Sequence, residues 1–194
     1  MSQQTSPETS SHQPLFEIPL RRIDGTEASL ADYQGQVLLL VNVASECGLT
    51  PQYEALEKLY QTYRSGGLMV LGFPANEFGA QEPGSNEQIA SFCRSKFGVD
   101  FPLFEKIVVK GQGQHPLYGL LTQAIQTPLA KDENSLYQRL AEKGMGPEAE
   151  GDILWNFEKF LISRSGAVVA RFAPHVAPDD PRLIAALESE LAKE

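Results

Sequence analysis

Two nearly uninterrupted apolar runs appear in the first half of the chain. The segments QVLLLVNVAS (36–45) and LMVLGF (68–73) lack the alternation of a strand with one exposed face, so they predict strands buried on both faces. Between them, apolar residues recur at helical spacing: Tyr53, Leu56, Tyr60 and Tyr63. We expect this helix to begin with Thr50 as N-cap and Pro51 as first residue. Strand, helix and strand together predict a right-handed parallel unit.

A capping box and a tight turn mark two further units. SNEQIASFCRSKF (85–97) opens with Ser85 and Gln88 at the spacing of a capping box, which predicts a second helix. One side of that helix is apolar and carries Ile89, Phe92 and Cys93. The segments WNFEKFLIS and AVVARF flank the turn RSG (164–166) and predict an antiparallel hairpin.

The two ends of the chain complete the pattern. Residues 179–194 predict a helix with acidic residues at its start, and residues 15–33 predict a short hairpin. The connection from 119 to 152 is too long for a bare loop, so we expect a helix within 134–144 and note that such excursions can form contacts in a homo-oligomer. This order of elements predicts an α/β protein with a mixed central sheet and helices on both faces, the thioredoxin-like fold.

Length and composition predict a single domain that neither binds nucleic acid nor spans a membrane. The chain has 194 residues, 42% of them apolar, enough for a single core. Residues 1–14, rich in Ser, Thr, Gln and Pro, are expected to be a disordered tail, which leaves 15–194 as the folded domain. A net charge of −9 argues against nucleic-acid binding. With no signal peptide or membrane-spanning apolar stretch, we expect a cytoplasmic protein.

Cys47 is one of only two cysteines and lies between the first predicted strand and helix, where α/β folds place reactive groups. Amides at a helix start favour a thiolate, whereas the neighbouring Glu46 opposes it. Thr50 stands where a C-x-x-C motif would have its second thiol, which favours a lone thiolate that attacks an electrophile such as a peroxide. Alternatively, Cys47 packs as a small apolar residue. No Cys and His residues have metal-ligand spacing, so we expect neither a metal site nor a bound cofactor.

Four blocks in order look like the glutathione peroxidase family, from Leu15 onward: NVASECGLTPQYEALEKLY, GFPANEFGAQEPGSNEQIASFC, FPLFEKI and ILWNFEKFLISRSGAVVARF. The resemblance implies a thioredoxin fold, hydroperoxide reduction and a reactive centre formed by Cys47, Gln81, Trp155 and Asn156. The two amides and the indole N–H can hydrogen-bond a thiolate and stabilise a departing hydroxide or alkoxide without titrating. Singly, they also fit a core aromatic residue and turn or cap residues.

The resemblance also implies a role for Cys93, since family members that use thioredoxin carry a resolving cysteine in this helix. A Cys47–Cys93 disulfide reduced by thioredoxin follows, although the helix must partly unwind because its apolar side aims Cys93 at the core. Glutathione-using animal members have arginine where Gln52 stands, which favours thioredoxin over glutathione as donor. Ala75 and Glu77 depart from the usual cysteine and glutamine, and Glu77 adds a carboxylate near the site.

Two other functions remain open. In a peroxide sensor or redox relay, Cys47 would pass its oxidation to a partner protein without sustained turnover. In a non-catalytic binding module of the same fold, both cysteines would only pack in the core. Steady turnover with thioredoxin separates the enzyme from the sensor, and inertness of Cys47 toward a thiolate-selective reagent favours the binding module.

Overall fold

The computed structural model describes residues 14–194. The predicted disordered tail, 1–14, therefore lies outside the described residues apart from Pro14. Two short 3₁₀ segments, at Leu30–Tyr33 and Arg64–Gly66, accompany the regular elements. The described strands and helices, in chain order, are α1 (Pro14–Glu17), β1 (Leu20–Arg21), β2 (Glu27–Ala28), β3 (Val37–Val43), α2 (Gln52–Tyr63), β4 (Leu68–Pro74), α3 (Asn86–Phe97), α4 (Pro116–Ala124), α5 (Leu136–Glu142), β5 (Lys159–Ile162), β6 (Val168–Phe172) and α6 (Pro181–Leu191).

The central sheet has four strands in the order β4-β3-β5-β6. β3 pairs in parallel with β4 along its whole length, β5 runs antiparallel to β3, and β6 runs antiparallel to β5. All seven residues of β3 are buried, which requires cover on both faces of the sheet. Helix α2 packs against β4, and α6 packs against β3. The predicted mixed sheet flanked by helices, the thioredoxin-like α/β fold, is confirmed.

The predicted hairpins and the second helix also form. β1 pairs with β2 around Gly25, whose φ of 87° suits a residue without a Cβ. At the start of α3, the Gln88 amide donates to Ser85 Oγ and the Ser85 amide donates to the Gln88 side chain, as the capping box predicts. At its end, left-handed Gly98 lets its own amide and that of Val99 donate to the Cys93 carbonyl.

The long connection predicted from 119 to 152 begins only after α4, because that helix occupies its first residues. His115 is the N-cap of α4: its Nδ1 accepts the Leu117 amide at 3.2 Å, and Pro116 is the first helical residue. Histidine is not a usual cap, so the helix start gave only the proline as a signal. The helix expected within 134–144 is present as α5.

No helix among residues 14–194 combines the length and apolar character that a membrane span requires.

A buried arginine in β6 holds the long connection to the edge of the sheet. Arg171 Nε donates to Glu158 Oε1, and both side chains are fully buried. Burial raises the pKa of the Glu158 carboxyl, and the nearby guanidinium opposes that shift. The other guanidinium nitrogens donate, at 2.8–3.0 Å, to the backbone carbonyls of Ile125, Gln126, Gly151 and Asp152. One side chain thus fixes both ends of the connection.

Replacing Arg171 by methionine should lower the free energy of unfolding by about 3–5 kcal/mol, because the Glu158 carboxylate would stay buried without its cation. The matched control is Arg182→Met, because Arg182 pairs with Glu133 and Asp180 at the surface, where ion pairs contribute little. Urea unfolding followed by circular dichroism measures both variants. Equal losses in the two would contradict the anchoring role of Arg171.

Candidate active site

A tight turn joins the carboxyl end of β3 to α2 and carries Cys47. Thr50 Oγ1 accepts the Cys47 amide at 3.0 Å and donates to the Ala44 carbonyl at 2.8 Å. The expected helix start was wrong by one residue, since Pro51 is the N-cap and the helix begins at Gln52. The physical reason is that the Thr50 hydroxyl bonds the turn and is not free to cap helix amides.

The Cys47 sulfur lies just beneath the surface. The residue is 8% exposed, and the Leu49 amide donates to Sγ at 3.3 Å. A backbone amide keeps its hydrogen at every pH, so this donor is permanent. The turn therefore provides a nucleophilic atom with a fixed donor and a short path to solvent.

The loop after β4 brings Gln81 to this turn. Gly79 and Ala80 are both left-handed, with φ of 69° and 52°, which is strained for alanine. A Cβ at Gly79 would lie in ordinary van der Waals contact with Trp155 Cη2, at 3.4 Å, and Gln81 Cγ, at 3.5 Å, so the left-handed backbone and not lack of space favours glycine here. The Glu46 amide donates to the Gln81 carbonyl at 2.9 Å and joins the two loops.

The segment before β5 is attached to the same end of β3. Asn42 Nδ2 donates to the Trp155 carbonyl at 3.0 Å, and the Phe157 amide donates to the Asn42 carbonyl at 2.6 Å. Phe157 has a φ of 67°, an unfavourable conformation for an aromatic residue. The Trp155 ring packs 5.6 Å from that of Phe78. These contacts fix the tryptophan beside the loop that carries Gln81.

The segments that carry the predicted site residues thus meet near the Cys47 turn. Contrary to the prediction from the sequence, not all of these residues direct an N–H group at the sulfur. Asn156 is fully buried and its Nδ2 donates to Gln81 Oε1 at 3.0 Å, so it orients Gln81 and its amide is not directed at the sulfur. Within residues 14–194, Gln81 Nε2 and Trp155 Nε1 donate no hydrogen bond to another group of the protein. Two N–H donors are therefore available to a substrate.

Cys93 lies on the buried side of α3, as predicted, and both cysteines are free thiols. It is fully buried, and burial raises the pKa of its thiol to about 11, while the Tyr53 hydroxyl beside it opposes the shift. This thiol is therefore protonated at neutral pH as long as α3 is closed.

Glu77 and Gln52, which differ from the residues usual at these positions in the resembling proteins, both form hydrogen bonds with the backbone. Glu77 Oε2 accepts the Val109 amide at 3.0 Å, and burial raises the pKa of this carboxyl. Gln52 Nε2 donates to the Pro174 carbonyl at 2.9 Å and fastens that loop to the start of α2.

Sequence reasoning missed two residues that position the site. Asn42 lies in the middle of an apolar strand pattern, and Lys159 begins the next strand of the sheet. Lys159 is fully buried, its Nζ donates to the Pro174 and Val176 carbonyls, and burial lowers its pKa to about 7. A polar residue inside an apolar run was the available signal in both cases.

Known proteins match this sequence over most of its length. The family model for glutathione peroxidase matches residues 15–122. The chain is 49% identical over 174 residues to the thioredoxin/glutathione peroxidase BtuE of Escherichia coli K12, covering 90% of this chain and 95% of that protein. It is 48% identical to the glutathione peroxidase homolog BsaA of Halalkalibacterium halodurans, covering 84% of this chain and 92% of that protein.

A crystal structure of T. cruzi GPX1 has the same fold, with a TM-score of 0.63 and 32% identity over 91% of this chain and 95% of that one. A family match across more than half of the chain, with close relatives along nearly its whole length, settles the assignment. The chain belongs to the glutathione peroxidase family and is a peroxidase.

Proposed function

We propose that the protein reduces hydrogen peroxide and organic and lipid hydroperoxides at Cys47, that Cys93 resolves the oxidised cysteine, and that thioredoxin restores the dithiol. One observation carries the first part of this proposal: the sulfur of Cys47 lies under the Leu49 amide, beside a framework in which Gln81 and Trp155 still have N–H groups to donate. This arrangement suits a nucleophile whose target releases negative charge.

In the first step, the Cys47 thiolate attacks the outer oxygen of the peroxide. The new S–O bond forms as the O–O bond breaks, and the remaining oxygen leaves with the electron pair and takes up a proton as water or alcohol. The sulfur is oxidised to a sulfenic acid and the peroxide is reduced. Gln81 Nε2 and Trp155 Nε1 are the donors that we assign to the departing oxygen, while Asn156 holds Gln81 in position.

In the second step, Cys93 attacks the sulfenic sulfur, a Cys47–Cys93 disulfide forms and water leaves. The last turn of α3 must open first, because Cys93 is fully buried and its carbonyl accepts two amides of the helix end. Opening would also expose the disulfide to an external dithiol.

Thioredoxin is the donor that we propose, with glutathione as the alternative. The E. coli relative is named a thioredoxin/glutathione peroxidase, which is compatible with either. Gln52 is uncharged and bonded to the Pro174 carbonyl, so it offers no cation to the carboxylates of glutathione. A net charge of −9 also disfavours an anionic tripeptide. Thioredoxin keeps cytoplasmic thiols reduced, so we propose a cytoplasmic location.

Cys47→Ser should abolish NADPH consumption in an assay with thioredoxin, thioredoxin reductase and either hydrogen peroxide or cumene hydroperoxide, because a serine hydroxyl is not ionised near pH 7. The wild-type protein should turn over steadily with both peroxides. Oxidation of Cys47 without turnover would contradict the enzyme proposal and favour the peroxide sensor.

Trp155→Phe should lower the second-order rate of Cys47 oxidation by about 100-fold, because it removes one N–H donor to the leaving oxygen and keeps an aromatic ring. The rate is measured on reduced protein by rapid quenching and intact mass. Phe78→Leu serves as the control, since it loosens the packing of the same ring without removing the donor. If both variants lost the same amount, Trp155 would have only a packing role.

Cys93→Ser should stop thioredoxin-driven turnover, while the rate of the first oxidation of Cys47 stays within about twofold of wild type, because the resolving thiol takes part only in the second step. The sulfenic acid should then accumulate and react with dimedone. Undiminished turnover with thioredoxin would remove Cys93 from the mechanism, and a gain with glutathione alone would favour glutathione as donor.

A further inference from the structure

The side chain of Glu82 is a buried carboxyl group that makes no hydrogen bond of regular geometry with any of residues 14–194. The residue is 0% exposed, yet among the described residues neither Oε1 nor Oε2 meets a donor in hydrogen-bonding geometry. The Ser45 and Tyr53 hydroxyls are also buried, and among residues 14–194 neither makes a hydrogen bond of regular geometry. Ser45 nevertheless lies close enough to Glu82, and Tyr53 close enough to Cys93, to lower the pKa of each. Folded proteins satisfy almost all such groups, and the exceptions concentrate where a group has chemistry to perform.

Groups from four segments of the chain face this carboxyl. Ser45 and Glu46 face it from the turn that carries Cys47, and Lys106 faces it from the segment after α3. The Glu82 charge contributes to raising the pKa of Tyr53 on α2 and of Cys93 on α3, so the carboxyl lies near both side chains. Glu82 is therefore the carboxyl that lies between the two cysteine-bearing elements.

Lys106 does not neutralise Glu82. Its Nζ donates to the backbone carbonyls of Glu82 and Gly84, at 2.8 and 2.6 Å, and makes no ion pair with the carboxylate. Burial raises the pKa of Glu82, while the Ser45 hydroxyl and amide and the Lys106 charge act in the opposite direction. The carboxyl is thus a stronger base than an exposed glutamate.

The resolving thiol needs such a base. With the pKa of Cys93 raised to about 11, roughly one molecule in 10⁴ carries the thiolate at pH 7. The uncharged thiol is a poor nucleophile toward a sulfenic acid. Attack at neutral pH therefore requires a group near Cys93 that accepts its proton.

We propose that Glu82 is the proton acceptor for Cys93 in the disulfide-forming step, acting directly or through the Tyr53 hydroxyl. This inference rests on the proposed function of Cys93 as the resolving cysteine. The Cys93 S–H bond breaks and its proton passes to the Glu82 carboxylate, while the sulfur forms a bond to Cys47 Sγ. The S–O bond of the sulfenic acid breaks, and the departing hydroxide takes the proton back from Glu82 and leaves as water, so the carboxylate is regenerated.

The position of Glu82 also gives the proton a way out. Glu82 lies in the wall of a cleft of about 440 Å³ between the Cys47 turn and α3, together with Ser45, Ile89 and Phe92. Ile89 and Phe92 belong to α3 itself, so movement of the helix toward Cys47 would take place along this cleft. Water that enters as α3 opens can carry the proton from Glu82 to the departing hydroxide.

The test uses Glu82→Gln and follows the two steps separately after rapid mixing of reduced protein with one equivalent of hydrogen peroxide. Fluorescence of Trp155, the single tryptophan, reports the first oxidation, and intact mass of quenched samples reports the disulfide. We expect the first rate to change little and the disulfide rate at pH 7 to fall by about 100-fold, the usual range for loss of a general base. Glu87→Gln is the matched control, because it removes an exposed carboxylate from the first turn of α3 and should leave both rates unchanged.

Whether the disulfide rate of Glu82→Gln falls or rises distinguishes a proton-accepting role of Glu82 from a purely electrostatic one. The Glu82 charge opposes ionisation of Cys93, so a purely electrostatic role predicts faster disulfide formation in Glu82→Gln. An equal or faster rate would overturn the proposal. If the wild-type protein formed no Cys47–Cys93 disulfide at all, the proposed function and this inference would both fail, whereas a normal disulfide rate in Glu82→Gln would remove this inference alone.

The pH dependence of the wild-type protein gives a second measurement that does not depend on the folding of a variant. The acceptor is the carboxylate, so the disulfide rate should fall as the pH drops through the raised pKa of Glu82 and should level off above it. Attack by an unassisted thiolate would instead rise about tenfold per pH unit up to the pKa of Cys93. A wild-type profile of that second form would overturn the proposal.

Discussion

Hydrogen bonds at the carboxyl end of β3 assemble the candidate active site. The Ala44 carbonyl accepts the Thr50 hydroxyl that closes the Cys47 turn, and Asn42 holds the Trp155 segment through its side chain and its carbonyl. β3 is paired on both edges and buried on both faces, so it is a rigid support for the segments that carry Cys47 and Trp155. Because the Cys47 turn continues β3 and the Trp155 segment is hydrogen-bonded to Asn42 of the same strand, their relative position does not depend on side-chain packing alone.

Two glutamates within residues 14–194 are fully buried, and their surroundings differ. Glu158 receives the guanidinium of Arg171 and the Leu154 amide, the second at 2.7 Å, so its role is to stabilise the long connection. Glu82 receives neither an ion pair nor a hydrogen bond within the described chain, at a point between the two cysteines. A satisfied buried charge is structural, whereas an unsatisfied one costs stability and persists where it is needed for another purpose.

Much of the fold could be predicted from local patterns. Uninterrupted apolar runs predicted β3 and β4, the capping box at Ser85 predicted α3, and the turn 164–166 predicted the hairpin of β5 and β6. Helix α4 was missed because a histidine caps it, and Thr50 was misassigned because its hydroxyl bonds a turn formed only in the folded chain. Local patterns predict elements well, but side-chain hydrogen bonds select among several possible caps.

The sequence by itself determined the elements, their order and the residue types available for chemistry, because helical and strand periodicities act over a few residues. It also carried, through family resemblance, the identity of the candidate site. The tertiary structure alone decided that Asn156 bonds Gln81, 75 positions earlier in the chain, and that the Glu82 carboxyl is buried near Cys93 without an ion pair among the described residues. Contacts between distant segments depend on how the sheet and helices pack, which no local pattern records.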